Sequence, residues 1–309
     1  MTGLASRACV PTRFGALGRA LGGALLMGVA LGSGTEIGPA VADVLGLTGF
    51  AARMVPALLV SAVAVPLVGW ALRRRGGSLE DIGFGGAGAN VRALLFGAGV
   101  TLAAAVLVLG AGTAAGMLRW TRPDLFALTG YVVANGAVAL LLEALPEETT
   151  LRGYAWTSLR GRFGGLGAAL GTTALFLVTP GVSTVVGAGV APLVGREAGP
   201  VGLAPGGQEP VGYLILLTAF GVLLLAARTA TGRAPLCAAI GAHLAFLTVN
   251  RVVFEGDRRD AGWYAELSSP GVELLVPVYV LVAAAGFALW RRRAVEPFGQ
   301  GAVSARAGR

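Results

Sequence analysis

The stretch ALLFGAGVTLAAAVLVLGAGT, residues 93–113, runs for 21 residues without a charged side chain. About 20 apolar residues in a helix span the hydrocarbon core of a bilayer, so this stretch predicts a transmembrane helix. Similar stretches recur along the 309-residue chain, which is 55% hydrophobic, 13% charged and has a mean hydropathy of +0.75. Soluble domains carry about 25% charged residues, and this composition therefore argues against a soluble enzyme. The sequence predicts an all-α polytopic membrane helical bundle.

Eight transmembrane helices are predicted from apolar windows of this length. They lie near residues 20–38, 54–72, 91–113, 127–150, 165–189, 211–228, 234–254 and 271–290. We expect residues 1–293 to form a single transmembrane domain that begins with a short cytoplasmic lead, residues 1–19. We expect residues 294–309 to form a disordered cytoplasmic tail.

The basic residues are distributed unevenly between the predicted loops. All 24 are arginines, and when successive loops are assigned to alternate sides, 17 fall on one side and seven on the other. The positive-inside rule then predicts that both termini are cytoplasmic. These arginines form short clusters between apolar runs, as at Arg73–Arg75 and Arg291–Arg293, and no basic nucleic-acid-binding motif is visible. The lysine-free, Arg/Ala/Gly-rich composition leads us to expect a multi-pass protein of the bacterial inner (plasma) membrane.

Two connecting segments differ in composition from the spans. Residues 76–85, GGSLEDIGFG, are expected to form a short helix on the cytoplasmic surface. Residues 191–210 are rich in Gly and Pro and are expected to be irregular. Neither segment carries a cluster of chemically reactive groups.

Three carboxylates interrupt the fourth apolar span within LLLEALPEETTLRG, residues 140–153. Ionisable groups in a membrane helix usually face a protein interior or a wet cavity, and they are functional candidates for that reason. Glu148 and Arg152 are four residues apart and are predicted to pair on one helix face, while Glu143 and Glu147 occupy a neighbouring face. Pro146 removes a backbone hydrogen bond just before Glu147, so a local kink is expected to turn Glu147 into the bundle.

A carboxylate held by arginine beside one without a partner suits general base catalysis. Glu148 is expected to stay ionised against Arg152, whereas a desolvated, unpaired Glu147 is suited to accept a proton from water. The alternative is that the cluster merely ends a span at the lipid headgroups.

The only histidine, His243, lies about nine residues into the seventh span, at a depth that the carboxylates of span four can share. Asn250 follows two helical turns further along the same face, with Thr248 nearby. A lone buried histidine can also serve only to hydrogen-bond a neighbouring polar group. One histidine and two distant cysteines, Cys9 and Cys237, exclude a multi-imidazole site within one subunit and a disulfide framework.

The motif EETTLRG, residues 147–153, resembles the EExxxR motif of the CPBP family, the CAAX protease and bacteriocin-processing intramembrane endopeptidases. RRRGGSLEDIGF, residues 73–84, is similar to the family's cytoplasmic segment before the third span, and His243 falls in the expected later helix. The resemblance implies an eight-helix membrane fold in which Glu147 activates water, Glu148 and Arg152 brace it, and His243 positions the oxyanion or the water.

The chain departs from the family pattern at two places. Where the family's second motif, FxxxH, supplies a histidine, this chain has FLVTP, so that Pro180 stands at the histidine position. Where the third motif, HxxxN, supplies an asparagine, the corresponding residue is Leu247 and Asn250 comes one turn late. Asn250, Thr248 and Glu143 are therefore only possible supporting residues. No cofactor is expected, although Glu147, Glu148 and His243 offer a weak alternative site for Zn²⁺.

Three functions remain open at this point. The first is an intramembrane glutamic-type endopeptidase that hydrolyses membrane-associated or prenylated peptides, which would reach the site laterally or from the cytoplasm, with lipids as its other partners. The second is a catalytically impaired pseudoprotease that acts as a membrane binding or immunity module, because Pro180 replaces a histidine. The third is a small transporter in which Glu147 carries protons.

Overall fold

The computed structural model describes residues 12–204, 208–269 and 271–295. These residues are almost entirely helical, which confirms the predicted all-α bundle. The α-helices assigned within them are α1 (Arg13–Val44), α2 (Gly49–Arg73), α3 (Ala87–Ala114), α4 (Leu125–Ala139), α5 (Leu145–Glu147), α6 (Trp156–Val190), α7 (Pro210–Ala230), α8 (Pro235–Val253) and α9 (Leu275–Val295). The predicted tail falls largely on residues 296–309, and the predicted lead on residues 1–11, both outside the described residues.

Within the described residues, seven helical runs are long and apolar enough to cross a membrane. The fourth run, Leu125–Val194, contains 70 residues and would be about 105 Å long if it were straight. It is broken at Gly164, whose φ of 70° and ψ of −174° are not helical. Ala155 and Leu159 before the break share a buried cluster with Ala168 after it, so the run folds back on itself. Its two arms correspond to the fourth and fifth predicted spans, and the chain is a multi-pass membrane protein.

The helix that carries the three glutamates is wound irregularly. A π-helical segment, Leu140–Ala144, precedes the single turn α5, and a second π-helical segment, Glu148–Ala155, follows it. Pro146 in α5 has no N–H to continue the α-helical ladder, and the Ser61 hydroxyl of α2 donates a hydrogen bond to the Leu141 carbonyl nearby. π-Bulges are frequent at functional sites because they redirect side chains without ending the helix. The predicted kink is therefore spread over two π-helical segments.

Helices α3 and α8 approach each other closely through two glycines. A Cβ atom built on Gly97 would lie 2.0 Å from the Ala238 carbonyl oxygen, and one on Gly241 would lie 2.0 Å from the Leu94 carbonyl oxygen. No side chain fits at either position, so the two backbones are in direct contact. Small residues at helix contacts allow such packing in membranes. This contact fixes α8, the helix that carries His243.

Several of the connections between the helices contain short regular elements. Leu118–Trp120 (β1) pairs antiparallel with Ala265–Leu267 (β2), a two-stranded ribbon that the sequence did not predict. The predicted surface helix at residues 76–85 is reduced to one 3₁₀ turn, Glu80–Ile82. Gly83, at a φ of 106°, ends this turn, and the side chain of Ile82 is buried against the bundle instead of lying on the surface.

Candidate active site

A cavity of about 650 Å³ lies among the helices and receives side chains from α5 to α8. Its inner end is apolar and aromatic, with Phe176, Phe220 and Phe246 in its wall. Glu147 and His243 both line it, so the structure brings together the two residues on which the sequence hypothesis depends. Their catalytic roles remain predictions.

Glu148 is the centre of a buried ionic cluster at the inner end of the cavity. One of its carboxylate oxygens, Oε1, lies 3.5 Å from Arg152 Nη1 and 3.1 Å from His243 Nδ1. The three side chains are 0%, 1% and 2% exposed, respectively. The sequence predicted the pairing with Arg152, which is a local i, i+4 contact, but it did not predict that Glu148 also contacts His243.

Aromatic rings fix the orientation of this cluster. The Phe220 ring meets the His243 ring edge to face, with 4.8 Å between centroids, and stacks on Phe246 at 4.0 Å. The Arg152 guanidinium lies 3.8 Å above the centre of the Phe176 ring. A cation over an aromatic face gains electrostatic stabilisation that is larger away from water. The rings thus hold both the imidazole and the guanidinium in single orientations.

Glu147 lies on a different face of the helix from its neighbour Glu148. Successive residues of a helix point in directions about 100° apart, so one glutamate is directed into the buried cluster and the other into the cavity. Glu147 makes no ion pair with any of the described residues, whereas Glu148 makes two contacts with cations or imidazole. The division between a held and an unpaired glutamate that the sequence predicted is therefore present.

Glu143, which we expected on the same helix face as Glu147, lines the same cavity and forms an ion pair with Arg251 of α8. The same arginine reaches the Asn135 side-chain oxygen at 3.4 Å. Arg251 also lines the cavity, and sequence reasoning did not identify it. The sequence spacing could have indicated Arg251, because it follows His243 by eight residues and therefore lies towards the same side of α8.

The two other supporting candidates are placed differently. Asn250 lines the cavity, but its side-chain nitrogen donates to the Phe246 carbonyl at 2.8 Å and to the Tyr279 hydroxyl at 2.7 Å. Both of its N–H groups are thus used, so Asn250 does not present a donor to a bound substrate in this arrangement. Thr248 is not among the residues that line the cavity.

Pro180 lines the same cavity, on α6 beside Thr179. The Thr179 hydroxyl donates to the Leu175 carbonyl at 2.8 Å, so this part of α6 presents no donor to the cavity. Tyr213 at the start of α7 does line it, and among the described residues its hydroxyl has no hydrogen-bond partner. Sequence reasoning missed Tyr213, because its span is otherwise apolar and gives no motif.

Metal ligation was the weak alternative for this cluster. Among residues 12–204, 208–269 and 271–295, no group of three or more His, Cys, Asp or Glu side chains is placed to hold a metal ion. Glu148 already contacts Arg152 and His243, and these contacts occupy one of its oxygens.

The fold and this cluster define a polytopic membrane protein in which an unpaired glutamate and an imidazole held by a second glutamate share an internal cavity. Residues 129–249 match the family model described as Rce1-like: Type II CAAX prenyl endopeptidase Rce1-like. The matched segment contains both glutamates, Arg152, Pro180 and His243, and it confirms the resemblance to the CPBP family that the sequence motifs indicated. No curated protein and no solved structure matches the chain.

Proposed function

We propose that this protein is an intramembrane endopeptidase in which Glu147 acts as the general base that activates water. The observation that carries the proposal is the position of Glu147, which has no ion-pair partner among the described residues and lines the same cavity as His243. A general base must be able to reach the reacting water, and an acid already held by arginine is a weaker base. Glu148 is held in this way, and Glu147 is not.

In this proposal Glu148 and Arg152 act through His243. Glu148 accepts a hydrogen bond from Nδ1 of the imidazole, which leaves Nε2 as the nitrogen available to the substrate. A carboxylate on one ring nitrogen fixes the ring and stabilises its protonated form. The Nε2–H of that form donates to the oxyanion that develops when water attacks a peptide carbonyl. Arg152 pairs with the same Glu148 oxygen and so holds the carboxylate in position against the imidazole.

Tyr213 is our candidate for the donor that Pro180 cannot supply. Both residues line the cavity with Glu147, and the tyrosine hydroxyl is free of other described partners. Losing one oxyanion donor typically costs about 10² to 10³ in rate. A tyrosine on α7 in place of a histidine on α6 would preserve two donors at the oxyanion.

A pseudoprotease that binds peptides without cleaving them is the second candidate. The observation that favours it is the position of Pro180, which faces the cavity where the family pattern has an imidazole. In either case we propose lipids and membrane-associated or prenylated peptides as partners, and a bacterial plasma membrane with both chain termini in the cytoplasm.

Cleavage of membrane-anchored peptides by the purified protein in lipid vesicles tests these alternatives. We expect Glu147→Gln to lower the rate about 10² to 10⁴-fold, as for loss of a positioned base. Glu143→Gln is the matched control, because Glu143 lines the same cavity but is paired with Arg251. Peptide binding without cleavage by the wild-type protein would support the pseudoprotease and contradict the peptidase.

The role of Tyr213 is tested by substitution and rescue in the same assay. Tyr213→Phe keeps the ring and removes only the hydroxyl, and we expect it to lower kcat by about 10²-fold with little change in KM. Adding Pro180→His to this variant restores a donor on α6 and is expected to recover part of the rate. Unchanged kcat in Tyr213→Phe would remove tyrosine from the mechanism.

A further inference from the structure

The cavity has one buried end and one exposed end. Its buried end is lined by the three phenylalanines and by His243, and behind His243 lie Glu148 and Arg152, whose side chains are no more than 1% exposed. Its other end is lined by Gln208, just before α7, and by Arg258, just after α8. Gln208 is exposed and the Arg258 side chain is 77% exposed, so the cavity reaches the surface at this end.

The exposed end, which we name the mouth, lies at a defined end of the bundle. Helix α7 begins there at Pro210 and α8 ends there at Val253, while the turn that joins these two helices lies at the opposite end. Arg228 near that turn donates to the Ile82 carbonyl at 2.9 Å, which places the segment between α2 and α3 at the same opposite end.

Arginine clusters are concentrated at this opposite end. Arg75, at the end of α2, donates to the Tyr154 hydroxyl at 2.8 Å. Arg160 and Arg162 follow Tyr154 by two helical turns, just before the break at Gly164. These clusters are part of the set of 17 arginines that the alternating loops assign to one side, against seven on the side of the mouth.

From these two observations we infer that the cavity opens to the extracytoplasmic side of the membrane. The positive-inside rule places the side with 17 arginines in the cytoplasm, and the mouth is at the other end of α7 and α8. The structure therefore does not support access from the cytoplasm, which the sequence had suggested as one route to the site.

The side on which the cavity opens also narrows the class of substrate. This part of the inference rests on the proposed peptidase function. The substrate is a peptide segment presented at the extracytoplasmic face, such as a loop or an end of another membrane protein. Phe176, Phe220 and Phe246 line the inner cavity, so the residues beside the cleaved bond are apolar. A peptide anchored on the cytoplasmic face would have to cross the bundle to reach Glu147.

Thiol labelling in intact cells tests the inference without any assay of cleavage. In a Cys9→Ser background, Arg258→Cys places a thiol at the mouth, and Arg162→Cys places a matched exposed thiol at the arginine-rich end. Cys237 stays in both because it is buried. Both variants must first label in detergent, which shows that each thiol is accessible in the folded protein.

We expect a membrane-impermeant maleimide to label Arg258→Cys in intact cells and to label Arg162→Cys only after the membrane is permeabilised. The reverse pattern, or equal labelling of both in intact cells, would overturn the inference. A quenched peptide with apolar residues and charged ends supplies the second measurement, with Glu147→Gln as background. We expect spheroplasts to cleave it and sealed inverted vesicles to lose that cleavage.

The two measurements separate the failure of the inference from the failure of the proposed function. If detergent-solubilised protein cleaves no peptide, the peptidase proposal fails, while the labelling pattern still decides the side on which the cavity opens. If inverted vesicles cleave and spheroplasts do not, the peptidase stands and the inferred orientation is wrong.

Discussion

The two ends of the cavity use the same residue types in opposite surroundings. At the inner end Glu148 and Arg152 are 0% and 1% exposed, whereas at the mouth Glu255 and Arg259 are 32% and 40% exposed. Glu143 and Arg251 lie between these extremes, at 21% and 16%. A buried charge that loses its partner is strongly destabilising, while exposed ion pairs contribute little. The value of an ion pair in this protein is therefore set by its depth in the cavity.

The inner cluster is also incompletely hydrogen-bonded. Arg152 Nη1 and Nη2 and Glu148 Oε2 are buried and make no hydrogen bond to the described residues. The Phe176 ring under the guanidinium compensates in part. A buried ionic cluster with such unpartnered atoms gives little net stability, although removing one of its charges is costly.

The largest expected effect comes from removing the cation at the inner end. Arg152→Ala leaves Glu148 charged in a low-dielectric surrounding, and we expect a loss of about 3 to 5 kcal/mol in the free energy of unfolding. Glu147→Ala removes an acid that has no ion-pair partner among the described residues and is expected to cost less. Thermal unfolding of the two variants in the same detergent measures the difference, and equal stabilities would contradict the assigned brace.

An intermediate loss of stability is expected for the ion pair that lies between the two ends of the cavity. Arg251→Ala leaves Glu143 only partly exposed, so we expect a loss of about 1 to 2 kcal/mol, between the ranges for exposed and buried pairs. The double variant Arg251→Ala, Glu143→Ala should recover part of this loss, because it removes the unpaired acid. Chemical unfolding of the single and double variants measures both changes in stability. If the double variant recovers no stability, the loss in Arg251→Ala does not come from leaving Glu143 unpaired.

A small effect is expected at the mouth. Arg259→Ala breaks an exposed pair with Glu255, and we expect a change of about 0 to 1 kcal/mol that is screened by salt. Comparing the unfolding of this variant in low and high salt measures the size of the stability change and shows whether it is electrostatic. A salt-independent loss of unfolding free energy as large as that of Arg152→Ala would contradict the proposal that the contribution of an ion pair depends on its depth in the cavity.

The smallest expected effect is a local one at the start of α7. Glu209 accepts hydrogen bonds from the Val211 and Gly212 backbone N–H groups, and these bonds lower the pKa of its exposed carboxyl. A lowered pKa in the folded state means that the capping contribution is present above the ordinary carboxyl pKa and is lost as pH falls through the folded value. Amide exchange of Val211 and Gly212, corrected for the intrinsic effect of pH, should show weaker protection in acid. Glu209→Gln should make that protection independent of pH.

The spans were predictable because they depend on length and apolarity alone. The Glu148 to Arg152 pair was also predictable, because four residues along a helix determine the contact. The contact between Glu148 and His243 was not, since these residues are 95 positions apart and only the packing of α8 brings them together. Mutual orientation of helices is a tertiary property that no local pattern in this sequence encodes.

The winding of the helix that carries the glutamates shows a second limit of prediction from the sequence. Pro146 indicated a disturbance, but neither π-helical segment has a residue-type signature of its own. The sequence also indicated that the fourth span ends near residue 150, whereas helical winding continues to the break at Gly164. Arg152, Arg160 and Arg162 suggested a loop by their charge, yet a helix can carry them because Arg152 pairs with Glu148 inside the bundle and the other two arginines are exposed.

The backbone contacts between α3 and α8, at Gly97 and at Gly241, limit how the cavity can widen. Backbones packed this closely leave little room for one helix to shift against the other, so we expect α8 to keep the imidazole at a constant height and angle. Any widening needed to take in a peptide must therefore come from other elements, of which α7 is the nearest that lines the cavity. Gly241→Ala is consequently expected to displace α8 and the imidazole that it carries, although it changes no charge and adds a single methyl group.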